Sequence, residues 1–299
     1  MLYQRLKLIA DLPRFDNPVL VYGFTGFLEA GAAVRIATEH LLESTEHVDV
    51  AEFDIDDIFD YRARRPRMRF ASDHYDDLQM PHLRISACRD ERGAGFFILH
   101  GIEPDFAWQS IMADIATFIR EVGISLSVSI LAVPFPAPHT RPVAITAHAN
   151  DPALIPGRTS WVGDMEVPAS LVGALEYTLG EQGLPSMGFA AHVPHYLASV
   201  GHPASALALV REVALATGLM LPTDSLREAA AEADAELAEQ LQANPENLDG
   251  IRQLEAQYDA LMAERSGDGN DGSAPGADDL AAQVEQFLAQ METRGKGDE

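Results

Sequence analysis

The sequence predicts an α/β fold, and two observations near its start support this prediction. Residues 19–24 form a β-branched and aromatic run, which is typical of a strand covered on both faces. A glycine-rich turn follows, and residues 30–41 then repeat apolar side chains at three- and four-residue spacing. That spacing indicates a helix that packs one face back on the strand.

The turn itself, GFTGFLEAG, does not match a phosphate-binding motif. It lacks the GK[ST] ending of a P-loop, and Gly23, Gly26 and Gly31 do not follow GxGxxG spacing. Glu29 falls in the first helical turn, where a carboxylate complements the helix dipole and repels phosphate. We therefore interpret the glycines as positions of close backbone packing, with phosphate binding as the alternative.

Further strands and helices follow in order along the chain. We predict strands at 48–53, 82–87, 95–100, 125–133, 143–147 and 187–193, and helices at 108–122, 167–182 and 203–217. Asp105 is placed as the cap of the first of these helices, and Pro168 in the first turn of the second. The charged segment 54–68 is interpreted as a solvated loop, and residues 158–163, with Trp161, as a strand or loop.

Composition limits the class of protein. The chain has 299 residues, a net charge of −25 and a single cysteine, Cys88. The acidity argues against contact with nucleic acid or an anionic membrane, and Lys7 and Lys296 are the only lysines, which removes most lysine-dependent chemistry from the core. Neither a signal peptide nor an apolar run of membrane-spanning length is present, so we expect a soluble, cytoplasmic protein.

Three loops after strands, at 23–29, 101–105 and 134–142, should gather at the carboxyl edge of an open α/β sheet, where ligands bind. Glu29, Glu103, His139 and Arg141 could then meet in one cleft and supply acid, base and anion-binding groups. The candidate binding residues are Gly23, Thr25, Gly26, Glu29, Glu103, His139, Thr140, Arg141, His195 and Tyr196. We assign no catalytic residue, no cofactor and no metal site, since His192, His195 and His202 lack a completing ligand.

The last quarter of the chain differs in composition from the rest. Residues 224–299 hold 19 acidic and 5 basic residues, a net charge of −14. We predict that the body of the fold spans residues 1–222 and that residues 223–265 form a hairpin of two amphipathic helices, with Pro245 in the first turn of the second. Residues 266–276 have the composition of a flexible linker, and residues 277–299 contain a short acidic helix.

Five stretches together carry a resemblance to a known family. They are PVLVYGFTGFLEAGAAVRIATEHLL, GIEPDFAW, PFPAPHTRPVAITAHA, WVGDMEVPASL and VPHYLASVGHPASALALV. In this order they resemble the actinobacterial branch of the PAC2 family, the proteasome assembly chaperone 2 family, and the likeness covers roughly residues 19–221.

The resemblance implies a three-layer α/β/α sandwich similar to the purine nucleoside phosphorylases. Eukaryotic relatives help to assemble proteasome α-subunit rings, and some use a C-terminal ending of a hydrophobic residue, Tyr and any residue. This chain ends RGKGDE at 294–299, so that mode of docking is in doubt. Some members have been labelled ATP-grasp-like, and the scarcity of lysine argues against ATP use.

The resemblance therefore favours a non-enzymatic, assembly-chaperone-like protein that acts through protein–protein contacts. The alternative is a binding protein or enzyme for a nucleoside-like small molecule that uses the carboxyl-edge loops. We expect a homo-oligomer, a trimer ahead of a dimer, with proteasome subunits or the associated ATPase as further partners. The segment DDLAAQVEQFLAQ also looks distantly like the docking region of the prokaryotic ubiquitin-like protein; a helix without a partner role is the alternative.

Overall fold

A mixed sheet of eight strands forms the centre of the described part of the chain. The computed structural model describes residues 3–158, 166–242 and 245–267. Its strands are β1 (Leu6–Leu8), β2 (Val19–Thr25), β3 (Glu46–Phe53), β4 (Arg67–Ala71), β5 (His74–Gln79), β6 (Leu83–Arg89), β7 (Gly95–Ile102), β8 (Leu126–Phe135), β9 (Ile145–Ala149) and β10 (Ser186–Pro194). Its helices are α1 (Ala33–Ser44), α2 (Trp108–Val122), α3 (Leu171–Glu181), α4 (Pro203–Thr217), α5 (Asp224–Gln242) and α6 (Pro245–Gly267).

The order of strands in the main sheet is β1-β3-β6-β7-β2-β8-β10-β9. The four central strands β7, β2, β8 and β10 are parallel to one another, whereas β1, β3, β6 and β9 pair antiparallel. β4 and β5 form a separate two-stranded hairpin.

Helices cover both faces of this sheet, which confirms the predicted three-layer α/β/α fold. On one face α2 and α3 pack on the even-numbered side of β2, through residues such as Ile115, Phe118 and Leu175. On the other face α1, α4 and the start of α5 pack over Val21 and Phe189. Because apolar helices lie on both sides, the central strands are buried along nearly their whole length.

The turn after β2 brings α1 very close to the sheet. A side chain at Gly23 would place its Cβ 2.7 Å from Val34 Cγ1 and 2.8 Å from Ile130 Cγ1. Gly31 has a φ of +63°, and a Cβ there would lie 2.8 Å from His202 Cβ. Both glycines are therefore needed for close backbone approach, which agrees with the packing interpretation of this turn.

The helix start predicted at 167 and the cap predicted at Asp105 are wrong, whereas α2 begins at Trp108 as predicted. Pro168 lies before α3, which begins at Leu171 with the Ser170 hydroxyl accepting the N–H of Gly173. Asp105 does not cap α2, because its carboxylate accepts the N–H of Asp60 and pairs with Arg64. The contacts of Asp105 are tertiary, so local spacing does not reveal them, whereas the Ser170 cap is a local contact that the prediction did not identify.

Several predicted segments differ from the structure or lie outside it. β1 and the β4–β5 hairpin were not predicted, since β1 is short and the hairpin was assigned in part to a solvated loop. Most of the segment 158–163, with Trp161, lies outside the described residues, as do nearly all of the linker 266–276 and the whole of the segment 277–299.

The two C-terminal helices occupy the segment for which a helical hairpin was predicted. α5 packs on α4 and buries Leu226 and Ala230 against the α1 and α4 face. α6 contacts α5 and also buries Tyr258 against Phe135 and Ala137 at the end of β8. The division of the chain into a body that ends at 222 and a separate helical unit remains a prediction.

A buried carboxylate fixes the N-terminal segment on α2. Asp114 Oδ1 accepts the N–H of Gln4 at 2.8 Å, and Oδ2 accepts the N–H groups of Arg5 and Leu6 at 2.6 and 2.9 Å. Asp114 is 2% exposed, so these three bonds compensate for its lost hydration.

We predict that Asp114→Ala lowers the free energy of unfolding by about 2–3 kcal/mol, because three backbone donors lose a charged acceptor. Thermal denaturation should show a clear fall in Tm. Asp11→Ala, which removes an exposed carboxylate near the same terminus, is the control and should leave Tm nearly unchanged. Equal Tm values for Asp114→Ala and the unchanged protein would contradict the role given to Asp114.

Candidate functional site

The carboxyl ends of the parallel strands β7, β2, β8 and β10 meet at one edge of the sheet. The loops that follow these strands carry nearly all of the sequence-predicted site residues. The structure distributes these residues over two groups, one around the turn after β2 and one around the loop after β8.

Glu103 is at the centre of the first group. Its Oε2 accepts the N–H of Phe27 at 3.4 Å, and its Oε1 accepts the N–H of Leu171, the first residue of α3, at 2.7 Å. Its own N–H donates to Thr25 O at 2.9 Å. Glu103 thus joins the β2 turn to the N-terminus of α3, where a carboxylate is favoured by the helix dipole.

Thr25 and Gly26 shape the backbone beside that carboxylate. The Thr25 hydroxyl donates to Gly101 O at 3.3 Å, so it ties β2 to β7. Gly26 has a φ of +151°, and a Cβ there would lie 3.2 Å from Glu103 Cβ. A residue with a side chain would be strained at this position and would press on Glu103.

Glu29 lies at the other end of the same turn. Its Oε2 accepts the N–H of Gly26 at 3.2 Å, whereas its Oε1 is buried and has no hydrogen-bond partner among the residues that the structure describes. Burial raises the pKa of the Glu29 carboxyl above its ordinary value. Glu29 is therefore a carboxyl group whose ionised form is poorly compensated in the folded protein.

Arg64 completes this first group, and the sequence analysis did not identify it. Its Nη2 donates to Glu103 O at 2.7 Å and lies 2.7 Å from the Asp105 carboxylate. Its guanidinium also lies over the Phe59 ring, 4.8 Å from the centroid. The charged loop 54–68 gave no signal that distinguished Arg64 from its arginine neighbours, since both acceptors lie in a distant part of the sequence.

The second group is built around His139 and Tyr196. The Tyr196 hydroxyl accepts the backbone N–H of His139 at 2.8 Å and lies 2.7 Å from His139 Nδ1. The hydroxyl oxygen accepts the amide proton, and in the contact with Nδ1 either the hydroxyl or the ring N–H can be the donor, depending on the imidazole tautomer. Burial lowers the pKa of His139 and raises the pKa of Tyr196, which favours a neutral pair.

Thr140 and Arg141 bind α6. Arg141 Nε and Nη2 donate to Asp259 Oδ1 and Oδ2 at 2.8 and 2.6 Å, and Nη1 lies 3.2 Å from Glu255 Oε1. The Thr140 hydroxyl also donates to Glu255. Carboxylates of the same chain thus occupy the guanidinium that was expected to bind an anion.

The structure does not join the four proposed acid, base and anion-binding groups into one constellation. Glu29 and Glu103 share the turn after β2, whereas His139 and Arg141 share contacts with Tyr196 and α6. No sequence signal could have shown this division, because Glu255 and Asp259 were assigned only to an amphipathic helix.

His195 and Tyr196 also line a cleft of about 840 Å³ between α5, α6 and the segment 195–202. The His195 ring lies edge-to-face on Tyr196, with 5.4 Å between centroids. The Glu29 and Glu103 group does not border this cleft. Its volume is in the range of small-molecule sites.

A buried polar group beneath α3 brings a serine near a histidine that is paired with a glutamate. His148 Nδ1 lies 3.0 Å from Glu176 Oε1, and Ser129 and His148 both border the space that a side chain at Gly188 would fill. The Ser129 hydroxyl is inaccessible to solvent, since the residue is fully buried. We assign this group to the support of the sheet and not to nucleophilic catalysis.

Neither a metal centre nor a membrane span is found in the described residues. No three His, Cys, Asp or Glu side chains within 3–158, 166–242 and 245–267 are grouped as metal ligands. No helix in the same ranges is long and apolar enough to cross a bilayer.

Comparison with known proteins identifies relatives of this architecture. The sequence model of the PAC2 family matches residues 23–241. A Mycobacterium tuberculosis protein of unknown function is 37% identical, with 96% of each chain covered and a TM-score of 0.89. A Corynebacterium glutamicum protein of unknown function is 29% identical over 86% of this chain and 98% of its own, with a TM-score of 0.82.

A third structure carries a functional description. It is a proteasome-assembly chaperone homologue from Mycobacterium tuberculosis, 28% identical, covering 74% of this chain and 94% of its own, with a TM-score of 0.67. No curated protein sequence matches the chain.

We predict that Glu29→Gln raises Tm at pH 7.5 and that this gain shrinks at pH 5. Because the pKa of Glu29 is raised in the folded protein, its ionised form lowers the free energy of unfolding. This loss of stability is absent below the pKa that Glu29 has in the unfolded chain, and it appears as pH rises through the pKa of the folded protein. The measurement is the difference in Tm between variant and unchanged protein at both pH values. Glu39→Gln, an exposed carboxyl on α1, is the control. A larger gain at pH 5 would contradict the assignment.

We predict that Arg141→Ala speeds amide hydrogen exchange several-fold in α6 and leaves α1 and α2 unchanged, because α6 loses its bidentate contact with the body. Hydrogen exchange followed by mass spectrometry resolves these helices. Arg252→Ala removes an exposed pair within α6 itself and serves as the control. Unchanged exchange in α6 for Arg141→Ala would show that Tyr258 packing alone holds the helix.

Proposed function

The chain belongs to the PAC2 family, and we propose that it acts as a non-enzymatic, proteasome-assembly-chaperone-like protein through protein–protein contacts. A relative described as a proteasome-assembly chaperone homologue supports the class of function. The polar groups at the carboxyl edge of the sheet also support a non-enzymatic function, because Glu103 and Arg141 form hydrogen bonds within the chain.

The observation that carries the proposal is the β4–β5 hairpin. In its register Phe70 lies opposite Tyr75, and Arg69 lies opposite Asp76. Since opposite residues share a face and neighbours alternate, one face is charged and the other apolar. The apolar face holds Met68, Phe70 and Tyr75. The register shift between Arg67 and Arg69, which inserts one extra residue in β5, places Leu78 on the same face.

These apolar side chains are exposed to solvent. Tyr75 is 68% exposed and Phe70 59%, and their rings pair edge-to-face at 5.0 Å. At roughly 100 Å² each, the four residues form a patch of about 400 Å², a size that marks interaction sites. An isolated two-stranded hairpin is marginally stable in water, so a partner surface would also stabilise it.

We assign the apolar face of the hairpin to self-association, with a trimer expected ahead of a dimer by analogy with the family. The hairpin extends from the carboxyl edge: it follows Arg64, which is bound to Glu103, and leads into β6, whose Leu83 pairs with Gly101. The base of the hairpin is therefore fixed to the body of the protein, and we propose that its exposed apolar face contacts another copy of the chain.

A small-molecule function is the second candidate, and the cleft of about 840 Å³ favours it. A nucleoside-like ligand could stack on His195 or Tyr196 and bond the glutamine amides of α5 and α6 that line the cleft. A thermal-shift screen of nucleosides and nucleotides tests this alternative independently of protein partners.

We predict that the protein elutes as a trimer in size exclusion with light scattering, and that Phe70→Asp with Tyr75→Asp yields a monomer that remains folded. Arg67→Ser with Gln79→Ser alters the opposite face of the same hairpin and should leave the trimer intact. If the unchanged protein is a monomer at micromolar concentration, the assignment of the hairpin to self-association is wrong.

Affinity capture from an actinobacterial lysate that contains proteasomes tests the proposed function itself. Enrichment of proteasome α-subunits or of the associated ATPase, without a nucleoside-induced thermal shift, is the expected result. A reproducible shift with nucleosides and no proteasome component in the capture would replace the proposal with the ligand-binding alternative.

A further inference from the structure

The cleft beside α5 and α6, here named the α5–α6 groove, has an apolar lining. α5 and α6 form its walls, and the segment 195–202 forms its floor. Leu197, Val200, Leu237, Leu241, Ile251 and Leu254 supply the apolar surface. Val200 is 51% exposed, so the floor is open to solvent.

The shape of the groove suits a helix. Leu237 and Leu241 are four residues apart on α5, and Ile251 and Leu254 are three apart on α6, so each wall presents a helical stripe. Gly250 adds free space, because a Cβ there would meet no atom of the described residues within 4 Å. A helix about 10 Å across fills roughly 120 Å³ per residue, so the groove holds about two helical turns.

The rim of the groove is acidic. α5 and α6 together carry 11 acidic and 3 basic residues, a net charge of −8. Asp234 and Glu236 line the groove, and in the described part of the chain no ion pair neutralises either one. No lysine or arginine lines the groove among the same residues. An occupant is therefore attracted if it is positively charged at its flanks.

The groove is held in shape by contacts outside it. Arg141 fixes α6 through Glu255 and Asp259, and Tyr196, hydrogen-bonded to His139, forms part of the floor. A preformed groove lowers the entropy cost of binding, because the protein side does not have to order its walls.

We propose that the α5–α6 groove binds an amphipathic helix of a partner protein, with apolar residues spaced along one face and lysine or arginine residues beside them. This inference rests on the proposed protein-interaction function and names the chemistry of one partner. It differs from the hairpin contact, which joins copies of this chain.

The chain's own C-terminal segment is a poorer match to the groove. Its apolar residues Leu280, Val284 and Leu288 have a suitable spacing, but Asp278, Asp279, Glu285 and Glu292 are interspersed with or flank them. These charges would face Asp234 and Glu236, and like charges oppose docking. Charge complementarity therefore favours a basic partner.

The test uses the full chain and a fluorescein-labelled helical peptide of leucine and lysine, with about 15 residues so that it forms a helix. Fluorescence anisotropy should give a Kd of about 10 μM, as expected for a short apolar contact. Binding should weaken as salt is added, because salt screens the charges on the two partners. A peptide of the same composition in scrambled order and a leucine–glutamate peptide should each bind at least about tenfold more weakly.

Charge-reversal variants locate the binding. Asp234→Lys with Glu236→Lys should weaken the leucine–lysine peptide about tenfold, because both residues line the groove. Glu228→Lys with Glu232→Lys makes the same change of charge on the same helix outside the groove and should alter Kd less than twofold. Equal weakening by both pairs, or equal binding of the scrambled peptide, would overturn the proposal.

Two further outcomes assign the groove to other occupants. Tenfold tighter peptide binding after Leu280→Asp with Leu288→Asp would show that the chain's own segment fills it, and would reject the partner helix. Loss of trimer in Asp234→Lys with Glu236→Lys would assign it to a second copy and reject the proposal likewise. Capture of proteasome subunits without peptide binding would reject this inference while the proposed function stands.

Discussion

The close contact between β2 and α1 is the constraint on which the rest of the structure depends. Gly23 has no room for a side chain between Val34 and Ile130, so the helix lies directly on the strand. Gly31 meets His202 and Val193 with the same closeness, and its backbone bonds to Ala198 and His202. The β2 turn thereby fixes the segment 195–202, which forms the floor of the α5–α6 groove.

The polar residues at the carboxyl edge are used mainly to join elements. Glu103 links the β2 turn, β7 and α3, and Arg64 anchors the base of the hairpin to the same residue. Asp114 similarly holds the N-terminal segment on α2. The carboxylates of Glu103 and Asp114 are satisfied within the chain, and this is a reason to seek function at exposed surfaces. The exposed apolar hairpin and the acidic groove are two such surfaces.

Acidity has two different roles in this protein. On α6, Glu255 and Asp259 bind Arg141 and Thr140. Their charges therefore hold the helix in position and contribute little to the electrostatic field outside the protein. On α5, Asp234 and Glu236 line an apolar groove, and no ion pair within the described residues involves either carboxylate. Acidic residues therefore fix α6 on the body and also form the charged rim of the groove, to which we assign the selection of a partner by electrostatic complementarity.

The sequence by itself determined the class of fold and most of the buried elements. The helix at Pro203–Thr217 agrees with its prediction at both ends, because Pro203 starts it and Gly218, with a φ of +73°, ends it through local backbone preferences. β2 and β10 were predicted from apolar runs, since a strand buried on both faces carries its own signature.

Tertiary structure alone decided which polar groups meet. Arg141 and Asp259 are 118 residues apart in sequence, and Glu103 and Leu171 are 68 apart, so no local pattern connects them. The hairpin strands were missed because exposed residues on a two-stranded sheet give little burial signal, and their two faces separate only when the register is known. Periodicity reports how a segment meets the core, whereas the pairing of distant charges depends on the path of the whole chain.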